Sequence, residues 1–174
     1  SKKSFMTILS QLRKFISGLQ DYKNVTTWDD YSTNNSYSIE DKNKKIDCVV
    51  QFCKKNNFEL IADLGCNDGE YSTLSLKNGC KKVIGFDFDI NAINKAYKNS
   101  SDENLDFLPL HFDAANPSSN IGWYQKERKG FIERANFNAI IALAFEHHLS
   151  IAKNIPLNEV VAWLISLAPT GLIE

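Results

Sequence analysis

Apolar residues recur along this chain with two different periods, and the switches between them mark its elements. Phe5, Ile8, Leu9, Leu12, Phe15, Ile16 and Leu19 fall at helical spacing, so residues 4–19 read as an amphipathic helix with Gly18 near its end. A polar stretch carrying Trp28, Tyr31 and Tyr37 follows, and residues 39–57 return to the helical period with Ile46, Val49, Val50 and Phe52 as their stripe. Beyond that point short apolar runs alternate with helical segments. Residues 60–64, 82–89, 105–112 and 138–143 read as strands, and 91–99, 126–135 and 157–167 as helices. Pro156 stands at the favoured first-turn position of the last helix. A turn at Pro169-Thr170-Gly171 then leads into residues 172–174, the start of a fifth strand. Such alternation predicts an open α/β sheet preceded by a helical extension.

The chemistry concentrates at the strand ends. In Leu60-Ile61-Ala62-Asp63-Leu64-Gly65-Cys66-Asn67-Asp68-Gly69 an apolar run closes on an acid, and Gly65 and Gly69 permit a tight turn and close approach of a ligand. Asp63 is placed by this reading at the lip of the strand, facing a ligand. The next strand ends in Asp87, about 20 residues beyond the glycine turn, where a doubly wound fold puts an acid that receives ribose hydroxyls. Phe86 and Phe88 flank it, either one able to lie against an aromatic base. Asp87 and Asp89 compete for two tasks, ligand binding and capping the following helix; the division favoured is Asp87 on ligand and Asp89 as cap.

The 60–69 stretch resembles motif I of the class I S-adenosylmethionine-dependent methyltransferases, in which an acid precedes a Gly-x-Gly-x-Gly turn. Asn67 stands where that pattern has its middle glycine, and asparagine is among the few residues that tolerate left-handed backbone angles. A nicotinamide dinucleotide site fits less well. Setting its Gly-x-Gly-x-x-Gly pattern on Gly65 puts Asn67 and Glu70 at the other glycine positions, and Asp68 and Glu70 would oppose a pyrophosphate. The sulfonium and ammonium groups of S-adenosylmethionine suit acids.

The resemblance implies a Rossmann-like sheet of order 3-2-1-4-5 with strand 3 at an edge, which suits Pro109. It implies S-adenosylmethionine as cofactor, held by Asp63, Gly65, Asn67, Gly69, Asp87, Phe88, Asp113 and Ala114. Asp113 would meet the adenine amino group, with Ala114 leaving room for the ring; a plain loop acid is the alternative. After strand 4 comes Ala144-Phe145-Glu146-His147-His148-Leu149, at the end of the sheet where ligands bind. His147 and His148 are the candidate proton acceptors there. Neighbours on a helix point roughly 100° apart, so at most one faces the pocket; capping or packing of the next helix is the competing role. Their block differs from the Asn/Asp-Pro-Pro-Tyr/Phe turn of amino-methylating enzymes acting on adenine or glutamine. None of Cys48, Cys53, Cys66 and Cys80 lies in the context that cytosine methylation needs. The stretches 111–130 and 140–156 look like a group of bacterial methyltransferase-like proteins of unsettled substrate.

Composition narrows the picture further. The 174 residues are 43% hydrophobic and 24% charged, enough for one globular domain with a core. A net charge of −1 offers no general draw to nucleic acid, and Lys126, Arg128, Lys129 and Arg134 read as a solvated face. No apolar run approaches the ~20 residues of a membrane span, and four cysteines without a pairing pattern suit a cytoplasmic protein. No metal site is expected, because no further His or Cys lies at ligand spacing. The expected organisation is an N-terminal helix and lid at 1–38, then a cofactor-binding domain at 39–174 that stops at strand 5, leaving an apolar sheet edge. The expected partner is an unidentified, small-molecule methyl acceptor. A cofactor-binding module without turnover, a nicotinamide-dependent oxidoreductase and an interaction domain are the rivals.

Overall fold

The structure, a computed structural model, describes residues 2–19 and 39–174. The polar stretch with Trp28, Tyr31 and Tyr37, the expected lid, lies outside the described residues. The first helix, α1 (Lys2–Ser17), buries none of its residues, and Phe5, Ile8, Leu12 and Phe15 are all exposed. Helix α2 (Ile39–Asn56) has Glu40 and Asp41 in its first turn and Lys54 and Lys55 in its last, charges that complement the helix dipole. Its Val49 and Cys53 are fully buried.

Five parallel strands form the sheet: β1 (Leu60–Leu64), β2 (Lys82–Asp87), β3 (Phe107–His111), β4 (Ala139–Ala142) and β5 (Gly171–Ile173). Their order is β3-β2-β1-β4-β5, as the resemblance implies. The crossovers are α3 (Glu70–Lys77) and α4 (Ile90–Asp102), then α5 (Phe131–Arg134) and α6 (Leu157–Leu167). Every residue of β4 and the last four of β1 are buried, as strands covered on both faces must be. Alternation splits their side chains between two cores. Ile61, Val83 and Ile141 join Val49 and Cys53 on one face, while Ala62, Leu64, Ile140 and Ala142 join Val160, Leu164 and Leu167 of α6 on the other.

Local sequence explains most boundaries. Asp89 caps α4, accepting from Asn91 N–H at 2.8 Å and Ala92 N–H at 3.1 Å, the cap expected of it. Pro109 sits in edge strand β3, opposite Gly85. The helix expected over 126–135 is shorter. Asn120 Oδ1 accepts from Gly130 N–H and Ser118 carbonyl accepts from Phe131 N–H, so this loop folds back on the chain and only Phe131–Arg134 is helical. Phe131 anchors it, packed against Phe112 with ring centroids 4.5 Å apart.

No helix among the described residues is long and apolar enough to cross a membrane, and no three or more of their His, Cys, Asp and Glu side chains are grouped so as to hold a metal ion.

Candidate functional site

The strand order reverses between β1 and β4, and a cavity of about 280 Å³ opens at the carboxyl ends of the strands there. One wall is the turn after β1. Gly65 has φ +77, and a Cβ on it would lie 2.9 Å from the Phe145 ring, so the turn and the segment after β4 touch through a missing side chain. Asn67 has φ +47, the left-handed geometry expected of it, and its Oδ1 accepts from Asp68 N–H at 2.6 Å. Asn67→Gly should therefore leave the melting temperature within a few degrees of the parent. Asn67→Val should cost about 1–2 kcal/mol in a thermal melt, because a β-branched residue resists this angle.

Asp87 forms the floor. Its Oδ2 accepts from Asn67 N–H at 2.8 Å and its Oδ1 from Asp89 N–H at 2.9 Å. One carboxylate thus ties the end of β2 to both flanking turns. A carboxylate has about four lone-pair positions, so acceptor capacity remains for a ligand in the cavity it lines. Burial pushes its pKa above the ordinary carboxylate value, with backbone donors at Asp89, Asn67 and Phe88 pulling it back and the charge of Asp89 raising it. Phe88, exposed and lining the cavity, stands beside it, and Lys153 Nζ lies 5.3 Å from the Phe88 ring centroid. Asp113 and Ala114 also line the cavity, and Asp113 Oδ1 accepts from Ala115 N–H at 3.0 Å.

The opposite wall follows β4. Ala144 has φ +53, an angle costly for a residue with a Cβ, by about 1 kcal/mol. Strain of this kind gathers at functional sites. A single π-helical turn, His148–Ala152, follows at once, another feature frequent at such sites. His148 lines the cavity, and the rings of His147 and His148 lie tilted at 38° with their centroids 4.1 Å apart. Burial and then His147 push the His148 imidazole below its ordinary range, while Asp87 and Glu146 pull it up. The net effect favours a neutral ring near pH 7, able to accept a proton.

Three residues singled out from the sequence do not line this cavity. Asp63 shares the face of Ile61 rather than of Leu64 and is 3% exposed. Ser72 of α3 donates to its Oδ2 at 2.6 Å, so it locks β1 to α3 instead of standing at the lip. Gly69, with φ +87, precedes α3 where a Cβ would meet the Phe107 ring at 2.5 Å, so its role is packing. His147 lies outside the lining and reaches the site through His148. Phe145 and Leu149, from the block placed there by the sequence, line the cavity as expected, whereas Leu143 and Lys153 line it without having been foreseen. Leu143 continues β4 into that block; Lys153 carries no signal in the linear sequence.

No protein-family model matches the sequence. Solved structures do match. PH0226 from Pyrococcus horikoshii OT3 superposes with a TM-score of 0.56 at 20% identity, over 83% of this chain and 60% of that one. The N-methyltransferase NodS from Bradyrhizobium japonicum WM9 gives 0.55 at 11% identity, over 75% of this chain and 64% of NodS. A putative RNA methyltransferase from Pyrococcus horikoshii, PH1948, gives 0.52 at 15%, over 91% and 69%. The fold is that of the class I S-adenosylmethionine-dependent methyltransferases. At these identities the likeness shows the fold alone. In sequence, the nodulation protein NoeA of Rhizobium meliloti (strain 1021) is 45% identical over 174 residues, 99% of this chain and 37% of NoeA. The chain therefore spans little more than a third of the length of that relative.

Proposed function

We propose that this chain binds S-adenosylmethionine in the cavity at the β1–β4 reversal and passes its methyl group to a nucleophilic atom of a small-molecule acceptor. The observation that carries this reading is Asp87: a carboxylate at the end of β2, held by two backbone donors, with acceptor capacity left over and a phenyl ring beside it. That donor set suits an adenosine. Asp87 would receive the ribose hydroxyls, Phe88 and Ala114 would border the base, and Asp113 its amino group. The turn at Gly65 and Asn67 would hold the amino-acid end. The acids here and the two failed glycine positions at Asn67 and Glu70 disfavour a pyrophosphate.

Bound there, the cofactor supplies a methyl carbon activated by its sulfonium. The protein's part is to orient the acceptor, exclude water and receive its proton, and orientation supplies most of the gain in a two-reactant displacement. His148, neutral and at the wall that follows β4, is the group placed to take that proton.

Isothermal titration of the purified chain with S-adenosylmethionine and with NAD tests the reading. Saturable binding of the first and none of the second is expected. Tight NAD binding would overturn it in favour of an oxidoreductase. Cofactor binding without turnover on any acceptor pool would reduce it to a binding module.

A further inference from the structure

Helix α1 carries an apolar face that nothing among the described residues covers. Phe5, Ile8, Leu9, Leu12, Phe15 and Ile16 are each 42–67% exposed, and no residue of the helix is buried. At 100° per residue their side chains share an arc of about 120°. A lone 16-residue helix without alanine is marginal in water, and such helices are held chiefly by packing of the apolar face. This face calls for an occupant.

The charges of the helix say which kind. Lys2, Lys3, Arg13 and Lys14 are accompanied by no acid, in a chain whose net charge is −1. Lys2 and Lys3 stand in the first turn, where the helix dipole disfavours cations. The stability of the helix therefore does not account for them. Lys2 and Arg13 border the apolar arc, while Lys3 and Lys14 fall on its far side. Long cationic side chains at such a margin lay their stems on apolar surface and keep their charged ends in water or among headgroups. A second copy of the helix fits poorly, because cations would meet cations with no acid to pair them. Spanning a bilayer does not fit either, since the helix is neither long nor apolar enough. One apolar stripe with a purely cationic remainder is the pattern of a helix that lies in a lipid interface.

We propose that α1 anchors this protein to an anionic lipid surface, its apolar face among the acyl chains and its cations at the headgroup phosphates. The anchor is independent of the methyl-transfer reading and places that chemistry, or whatever the cavity performs, beside a membrane.

Co-sedimentation of the chain with large unilamellar vesicles tests this. Vesicles of equimolar phosphatidylglycerol and phosphatidylcholine should bind it at least about tenfold more tightly than phosphatidylcholine alone, and added salt should erase most of that difference. The double variant Ile8→Glu with Leu12→Glu places acids within the apolar arc and should abolish binding to both vesicles. Its melting temperature should match the parent's within about a degree, because the helix buries nothing. Lys2→Gln with Arg13→Gln should remove most of the preference for the anionic vesicles. A parent that does not bind the anionic vesicles, or binds both kinds equally, overturns the proposal. So does a melting temperature several degrees lower in the double glutamate variant, which would show the face packed on protein. A parent that light scattering finds dimeric, made monomeric by the same variant, would assign the face to a second copy instead.

Discussion

Asp87→Ala is expected to weaken S-adenosylmethionine binding by at least about 100-fold in a calorimetric titration. Hydrogen bonds to a charged group contribute about 1.5–3 kcal/mol each, and two facing a ribose would together exceed the roughly 2.8 kcal/mol that this factor represents. The structure adds a second cost. The same carboxylate accepts from Asn67 N–H and Asp89 N–H, so alanine also releases the turn after β1 and the start of α4. The melting temperature should fall by a few degrees while the fold persists, because the acid stands at the strand end, outside both cores. Asp87→Asn separates the two effects. It keeps the shape and one accepting oxygen, and should fall between parent and alanine in affinity. A variant that binds the cofactor as tightly as the parent would remove Asp87 from the site.

Asp63 governs the second large effect, and it concerns stability rather than binding. Burial raises its pKa from 3.8 to about 7, opposed by the Ser72 hydrogen bond and reinforced by the nearby charge of Asp87. An acid whose folded value lies above its unfolded value holds an extra proton in the native state across that window. Stability from this group is therefore complete below about pH 4 and is lost as the pH rises toward 7, with a ceiling on the order of 4 kcal/mol. Asp63→Asn keeps an oxygen for Ser72 and carries no charge at any pH. It should melt close to the parent at pH 4 and roughly 10 °C above it at pH 8, at about 2–4 °C per kcal/mol for a chain of this size. Parallel melting curves for the two proteins across pH 4–8 would refute the buried, protonated Asp63.

Much of the frame was legible because it follows from local physics. The strands β1 and β4 are apolar runs in the sequence because both of their faces are covered. Asn67 could be assigned a left-handed angle because few other residues occupy a glycine position in such a turn, and Asp89 a cap because its side chain reaches amides two and three residues ahead. Pro109 announced an edge strand for want of an N–H. Asp87 could be brought to the cavity because a strand that ends at the switch point must deliver its last residue there.

Contacts between distant segments were a different matter. Asp63 looked like a ligand group because it ends an apolar run, yet strand alternation and Ser72 on α3 turn it into the core. Gly69 looked like part of a cofactor turn; its left-handed φ of +87 and the ring of Phe107, 38 positions away in the chain, both demand a glycine there. Lys153 reaches Phe88 only because a π-helical turn redirects the backbone after β4. Periodicity and turn chemistry act over a few residues and are written in the order of the chain. Burial and hydrogen-bond satisfaction depend on what the fold brings alongside, and at this site they decide which acids serve the core and which face the cavity.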